Sequence, residues 1–264
     1  MKSFDIFDRY LGRSLGTLIC YENTGTYIVE LMNDLDEWTA PLLFAGFVSR
    51  GVFTIPRDIA LAWVRERLIP PERQNISAIL ANHHLKEYDE IRLLEISHGE
   101  CAQDDLVLKK CASLPDYVRE RMGRNLTEFV VCDDHVLTIF ADDMIRNIDR
   151  DTVARLAGYE KLWSKSELLE SARIGAGGYF VTFNDSMDIT ATSLYSSGVS
   201  VPLKPSDLAC LVRKSVVDTT EVCDLLGCSR QNISYLVKKE LLTPLRSDVK
   251  GSLYLKGEVQ KCTW

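Results

Sequence analysis

The spacing of apolar residues near the C-terminus predicts two short helices joined by a tight turn. The apolar face of the first helix comprises Val222, Leu225 and Leu226, and that of the second comprises Ile233, Leu236 and Val237. Gly227 is expected to end the first helix, because a residue without Cβ takes a left-handed conformation at little cost. Hydroxyl caps are expected from Thr219 or Thr220 for the first helix and from Ser229 for the second.

Polar and basic side chains cover the rest of the second helix and its flanks. They are Ser229, Arg230, Gln231, Asn232, Ser234, Tyr235, Lys238 and Lys239. Arginine matches the edge of guanine, whereas glutamine and asparagine match adenine, and all of these side chains can donate to phosphates. Because the first turns of a recognition helix point into the major groove, the pattern predicts a helix that binds double-stranded DNA.

Residues 215–262 resemble the winged helix-turn-helix of the MerR-like, excisionase and AlpA-like DNA-binding families. The matching pieces are Thr220-Glu221-Val222, Leu226-Gly227-Cys228-Ser229, Leu241-Leu242-Thr243-Pro244 and Leu253-Tyr254. Arg246 and Lys250 would lie on the wing, with Gly251 at its turn, and Glu240 stands where the family often has glycine. No coiled-coil helix is expected after the wing, so the resemblance is closer to the excisionase-like subset.

The middle of the chain, residues 124–203, is predicted to be a small strand-rich domain. Apolar segments at residues 126–132 and 136–140 flank a short polar turn, which is typical of a β-hairpin. Further strands are predicted over residues 144–149 and 179–183, and a helix over residues 160–171.

This middle segment resembles a small bacterial family of unknown function, whose members are often encoded beside toxin–antitoxin genes or fused to helix-turn-helix modules. The matching pieces are Val181-Thr182-Phe183, Asp188-Ile189 and Leu194-Tyr195. The resemblance implies no catalytic residues.

The first part of the chain, residues 1–112, is predicted to be an α+β domain of unknown function. Residues 15–21 and 26–31 form a predicted hairpin, and helices are expected over residues 38–49, 58–68, 74–82 and 87–96. The whole chain is therefore predicted to be α+β, with an N-terminal α+β domain, the strand-rich domain and a winged helix-turn-helix over residues 205–264. The expected boundaries lie within residues 112–123 and at Lys204-Pro205.

Charge is distributed unevenly along the chain, whose net charge is −7. Residues 229–264 hold seven basic against three acidic residues, a net charge of +4, so the preceding residues carry −11. A basic end on an acidic body is typical of a nucleic-acid-binding module.

Catalytic, cofactor and metal sites are not predicted. No segment pairs a nucleophile with a base, and the glycines at residues 175–178 open a strand without the Lys-Ser/Thr of a phosphate loop. The eight cysteines form no CxxC pair. His98 and Cys101 have the spacing of two zinc ligands, with Cys111 and the His83-His84 pair nearby, but structural zinc sites usually show two tight ligand pairs, so no metal site is expected. No apolar run has membrane-spanning length and the N-terminus lacks a signal peptide's apolar core, so a cytoplasmic protein without membrane contact is expected.

The sequence therefore predicts a DNA-binding transcriptional regulator. The more specific hypothesis is an antitoxin that neutralises a partner toxin protein and represses their shared operon. A homodimer is expected, with the dimer contact supplied by residues 1–203. Two alternatives remain: a toxin or enzyme that carries its own operator-binding domain, and an interaction adaptor that does not bind DNA.

Overall fold

The computed structural model describes residues 1–200, 205–249 and 251–263. Helices account for 38% and antiparallel sheets for 25% of the chain, so the predicted α+β class is confirmed. The chain divides into two compact units, Met1–Arg119 and Glu120–Trp264. The predicted strand-rich and C-terminal domains both lie in the second unit.

The first unit is built on a five-stranded antiparallel sheet in the order β4-β3-β2-β1-β5. Its strands are β1 (Lys2–Asp8), β2 (Arg13–Tyr21), β3 (Thr26–Leu31), β4 (Thr54–Ile55) and β5 (Leu106–Lys110). Its helices are α1 (Leu42–Val48), α2 (Arg57–Arg65), α3 (Ile76–Asn82), α4 (Glu90–Ser97) and α5 (Asp116–Met122), the last of which crosses into the second unit. Every residue of β3 is buried, as expected for a strand inside a sheet with both faces covered.

Two differences from the predicted elements stand out in this unit. The predicted β2–β3 hairpin is confirmed, but the edge pairing of β1 with β5 was not predicted. The helix predicted over residues 38–49 begins only at Leu42, because Pro41 occupies its N-cap. Before it, the Asp36 carboxylate accepts hydrogen bonds from the backbone N–H groups of Trp38 and Thr39 and forms a turn instead.

The described residues of the second unit form three small antiparallel sheets, in the orders β12-β8-β7-β6, β11-β10-β9 and β13-β15-β14. Its strands are β6 (Leu126–Val131), β7 (His135–Phe140), β8 (Ile145–Asp149), β9 (Arg173–Ile174), β10 (Phe180–Phe183), β11 (Met187–Thr190), β12 (Val199–Ser200), β13 (Val216–Val217), β14 (Arg246–Val249) and β15 (Gly251–Leu255). Its helices are α6 (Arg150–Leu156), α7 (Ser166–Glu170), α8 (Ala191–Ser197), α9 (Pro205–Ser215), α10 (Thr219–Leu226), α11 (Arg230–Lys238) and α12 (Lys256–Lys261).

The predicted β6–β7 hairpin and the strands β8 and β10 are confirmed. The helix predicted over residues 160–171 is instead a 3₁₀ turn, Leu162–Ser164, followed by α7, because Lys165 has the non-helical angles φ −118° and ψ 83°. Helices α6 and α8 were not predicted. Each begins at a side chain that accepts a backbone N–H bond, Asp149 for α6 and Thr190 for α8.

Candidate nucleic-acid interface

Helix α10 begins at a reciprocal cap between Asp218 and Glu221. The Asp218 carboxylate accepts hydrogen bonds from the backbone N–H groups of Thr220 and Glu221, at 2.7 and 2.9 Å. In return, the Glu221 carboxylate accepts the Asp218 N–H at 2.8 Å. The expected cap by Thr219 or Thr220 is therefore wrong, because the aspartate one residue earlier satisfies these donors with a partner glutamate three residues on.

The turn between α10 and α11 matches the predicted one. Gly227 ends α10 with φ 60°, the left-handed conformation, and its N–H donates to the Cys223 carbonyl oxygen. Ser229 occupies the N-cap position of α11 as predicted, but the expected hydroxyl cap is wrong, because its side chain makes no capping hydrogen bond. The Ser229 hydroxyl is therefore not committed to the helix it precedes.

A compact apolar core holds α10 and α11 together. Val222 and Ile233 are buried, as predicted, and they join Val217, Leu242, Tyr254 and Val259 in one cluster. Leu236 and Val237 pack against this cluster from α11. Leu225 is 45% exposed, so its predicted place in the apolar stripe is wrong; the narrow contact between two short helices covers Leu226 instead.

The outer face of α11 carries the predicted DNA-contacting side chains in exposed positions. These are Arg230, Gln231, Asn232, Ser234, Tyr235, Lys238 and Lys239. At about 100° per residue, Arg230, Gln231, Ser234, Tyr235 and Lys238 fall within about 140° of arc, opposite Ile233. Because the face that includes Ile233 is held in the core, the opposite face of α11 presents one continuous polar and basic surface.

Two residues of this surface are partly held by contacts within the protein. The Arg230 guanidinium donates to the Thr220 hydroxyl on α10, at 3.2 Å. The Ser234 hydroxyl donates to the Arg230 carbonyl oxygen, also at 3.2 Å. Arg230 is therefore oriented before any ligand arrives, while the Ser234 hydroxyl is engaged by its own helix and is the weaker candidate of the two.

A β-hairpin follows α11. Strands β14 and β15 pair antiparallel, with Arg246 opposite Leu253, and β13 pairs with the other edge of β15. Gly251, with φ 104°, opens β15, and Arg246 is exposed at the start of β14. The other predicted wing residue, Lys250, lies outside the described residues.

The structure also brings together side chains that the sequence analysis did not connect. In the described part of the chain, one group of metal-binding residue types is close enough to share an ion: Cys132, His135 and Asp207. The His98–Cys101 pair is arranged differently, since His98 ends α4 in a left-handed conformation and the Cys101 thiol contacts Asp104. The sequence signal for this group is two pairs of possible ligands, each spaced i, i+3: Cys132 with His135, and Asp207 with Cys210. It was missed because the two pairs lie far apart in the chain.

No family model, curated protein or solved structure matches this chain. Within the described residues, every helix is too short or too polar to cross a bilayer.

Proposed function

We propose that this protein is a DNA-binding transcriptional regulator in which α11 enters the major groove as the recognition helix of a winged helix-turn-helix. The observation that carries the proposal is the exposed polar and basic arc of α11, backed by the buried residue Ile233. Such a helix is rigidly supported from behind while its outer side chains remain available to base edges and phosphates.

Different roles follow for the residues on this arc. Arg230 and Gln231 lie in the first turn of α11 and are proposed to contact base edges, which carry sequence information. Lys238 lies in the last turn, together with the flanking Lys239, and these ammonium groups suit phosphates. Arg246 on the hairpin would contact the backbone beside the groove.

Dimerisation through the first unit completes the proposal, because one small module contacts few base pairs and paired half-sites raise specificity. An apolar patch on this unit, defined here as Tyr10, Trp38 and Leu42, lines one surface depression. These side chains are 84%, 86% and 94% exposed, respectively. Neighbouring apolar side chains that are this exposed are characteristic of protein interfaces, and we assign this patch to a second copy of the chain.

The more specific proposal is a cytoplasmic antitoxin that binds a toxin protein and represses the operon of both. Its support is the uneven charge: the acidic body, with −11 before residue 229, suits a basic partner, whereas the last 36 residues carry +4. Mass spectrometry of proteins retained by the full chain in its native host tests this part. Recovery of the product of the adjacent reading frame supports it, and a pull-down without that product contradicts it.

Footprinting of the full chain on the DNA upstream of its own gene tests DNA binding. We expect protection of two similar half-sites related by two-fold symmetry, with affinity at least 10³-fold above that for unrelated DNA. Equal affinity for upstream and unrelated duplexes at every salt concentration contradicts a sequence-specific regulator.

A further inference from the structure

We propose that Cys132, His135, Asp207 and Cys210 form a structural zinc site that joins α9 to the β6–β7 hairpin. Cys132 and His135 flank the two-residue hairpin turn, and Asp207 and Cys210 are three residues apart on α9. The four residues therefore form two close pairs, the arrangement that structural zinc sites use.

Three of the four residues are close enough to share one ion, and Cys210 lies beside the group through its contact with the Cys132 sulfur. The ligand atoms of Cys132, His135 and Asp207 all lie within 4.8 Å of one another. His135 Nε2 is 3.2 Å from Asp207 Oδ1, and the Cys132 and Cys210 sulfurs are also 3.2 Å apart. Bonds of 2.0–2.3 Å to one ion place tetrahedral ligand atoms roughly 3.3–3.8 Å apart, so side-chain shifts of a few tenths of an ångström bring these pairs to that spacing.

The hydrogen bonding of His135 points to a cation. Its Nδ1 lies 2.6 Å from the Asp134 carboxylate, which can only accept, so Nδ1 carries a proton. In the neutral imidazole, Nε2 then presents a lone pair, and it is buried and makes no hydrogen bond. This lone pair faces the Asp207 carboxylate, and two acceptors at that separation repel each other unless a cation lies between them or a second proton makes the ring an imidazolium that donates to Asp207.

Asp134 accepts a hydrogen bond from the ring N–H that points away from the proposed ion, as carboxylates commonly do beside zinc-bound histidines. Its hydrogen bond to Nδ1 fixes the tautomer and turns Nε2 toward the ligand group. The hairpin turn is itself held by the Cys132 N–H, which donates to the His135 carbonyl oxygen at 2.9 Å. The two ligands on the hairpin are thus oriented by the surrounding backbone and by Asp134.

The local core explains what the ion would contribute. Where α9 meets the hairpin, the buried apolar cluster consists of Val130, Cys132, Leu137 and Leu211. So small a cluster stabilises little, and α9 continues through β13 directly into α10. With four protein ligands and no open position, the ion would stabilise this junction and have no catalytic role.

Metal titration of the full chain tests the site. Metal-free protein, prepared with a chelator, is titrated with Zn²⁺ in competition with a chromophoric chelator, and with Co²⁺ as a spectroscopic probe. We expect one ion per chain, with Co²⁺ giving the thiolate charge-transfer absorption of a tetrahedral sulfur-containing site. A parent chain that takes up no stoichiometric Zn²⁺, whether because His135 is an imidazolium or because the two cysteines are oxidised to a disulfide, overturns the proposal.

Variants separate this site from adventitious binding. Cys132→Ser and Asp207→Asn are expected to lose at least 100-fold in Zn²⁺ affinity, whereas the control Cys101→Ser keeps the parental value. Asp134→Asn retains all four ligands, and its side chain is 85% exposed, so the fold is preserved; about 10–100-fold weaker binding is expected. The proposal is overturned if Asp134→Asn and one of the two ligand variants both bind Zn²⁺ with parental affinity. This holds even if the other ligand variant does not fold.

Discussion

The backbone N–H of Gly257 donates a hydrogen bond to the Glu128 carboxylate, 2.9 Å away, across 129 residues of sequence. Glu128 lies on β6 and is buried, and Gly257 is the second residue of α12. Burial raises the Glu128 pKa to about 7, although the Gly257 N–H and the nearby Lys256 and Lys261 oppose the shift. This contact ties the C-terminal end of the second unit to the first strand of that unit.

The first prediction concerns pH. Because the folded pKa of Glu128 lies above its unfolded value, the native state holds an extra proton between about pH 4.5 and 7. The free energy of unfolding of the second unit should therefore fall as pH rises through this window, by up to roughly 3 kcal/mol. Denaturant-dependent hydrogen exchange of β6 amides at pH 5 and pH 8 measures it. Glu128→Gln should lack this part of the pH dependence; identical pH profiles for the parent and the variant refute the prediction.

The second prediction uses the close approach at Gly257. A Cβ at this position would lie 1.8 Å from the Thr127 carbonyl oxygen, so α12 must move away from β6 to accommodate one. Gly257→Ala should lower the free energy of unfolding by about 1–3 kcal/mol or more. Gly46→Ala is the control, because nothing lies within 4 Å of its Cβ; it should be neutral or slightly stabilising. Equal melting temperatures for both variants would show that the α12–β6 contact is loose.

The third prediction concerns the residue that follows α11. Glu240 has φ 57°, a left-handed conformation that costs an L-residue about 1 kcal/mol. Glu240→Gly should raise the free energy of unfolding by about 0.5–1 kcal/mol in chemical denaturation. Glu240→Ala removes the same charge but keeps the Cβ, so it should give no such gain. Equal stabilisation by both substitutions would assign the effect to charge.

The fourth prediction addresses assembly through the patch of Tyr10, Trp38 and Leu42. Introducing two charges, Trp38→Asp with Leu42→Asp, should convert a dimer into a monomer in light scattering at micromolar concentration, because burying unpaired carboxylates is costly. Val199→Asp changes an apolar residue that is 64% exposed in the second unit, and it should leave the mass unchanged. A monomeric parent, or a dimeric double variant, contradicts the assignment of this patch.

Local signals carried the successful sequence predictions. The β2–β3 hairpin and helices α10 and α11 were predicted because their apolar periodicity and turn residues lie within about 25 residues of one another. Strand β5 escaped prediction because its partner is β1, with Phe4 opposite Lys110, and no local pattern encodes such a partner. Strand β1 also escaped prediction, although it pairs with the neighbouring strand β2. The N-cap of α10 was predicted at Thr219 or Thr220 and lies at Asp218, because the hydroxyl residues that directly follow Asp218 are also good capping residues.

The candidate metal group was also missed because its members are far apart in the sequence. Cys132 with His135, and Asp207 with Cys210, are each visible as an i, i+3 pair, but 71 or more residues separate the two pairs. Only the packing of α9 against β6 brings them together. By contrast, the α11 residues proposed to contact DNA lie on one helix, so helical periodicity alone predicted their shared face.

The central claim, that α11 reads DNA, is tested most directly by the salt dependence of binding to the protected upstream site and to unrelated duplex DNA. Lys238→Ala should weaken binding to both duplexes alike and reduce the slope of log affinity against log salt by about 1. Arg230→Ala and Gln231→Ala should each cost about 1–3 kcal/mol on the upstream site alone, and the exposed control Lys86→Ala should match the parent. Parental affinity and slope in all three α11 variants would contradict the account.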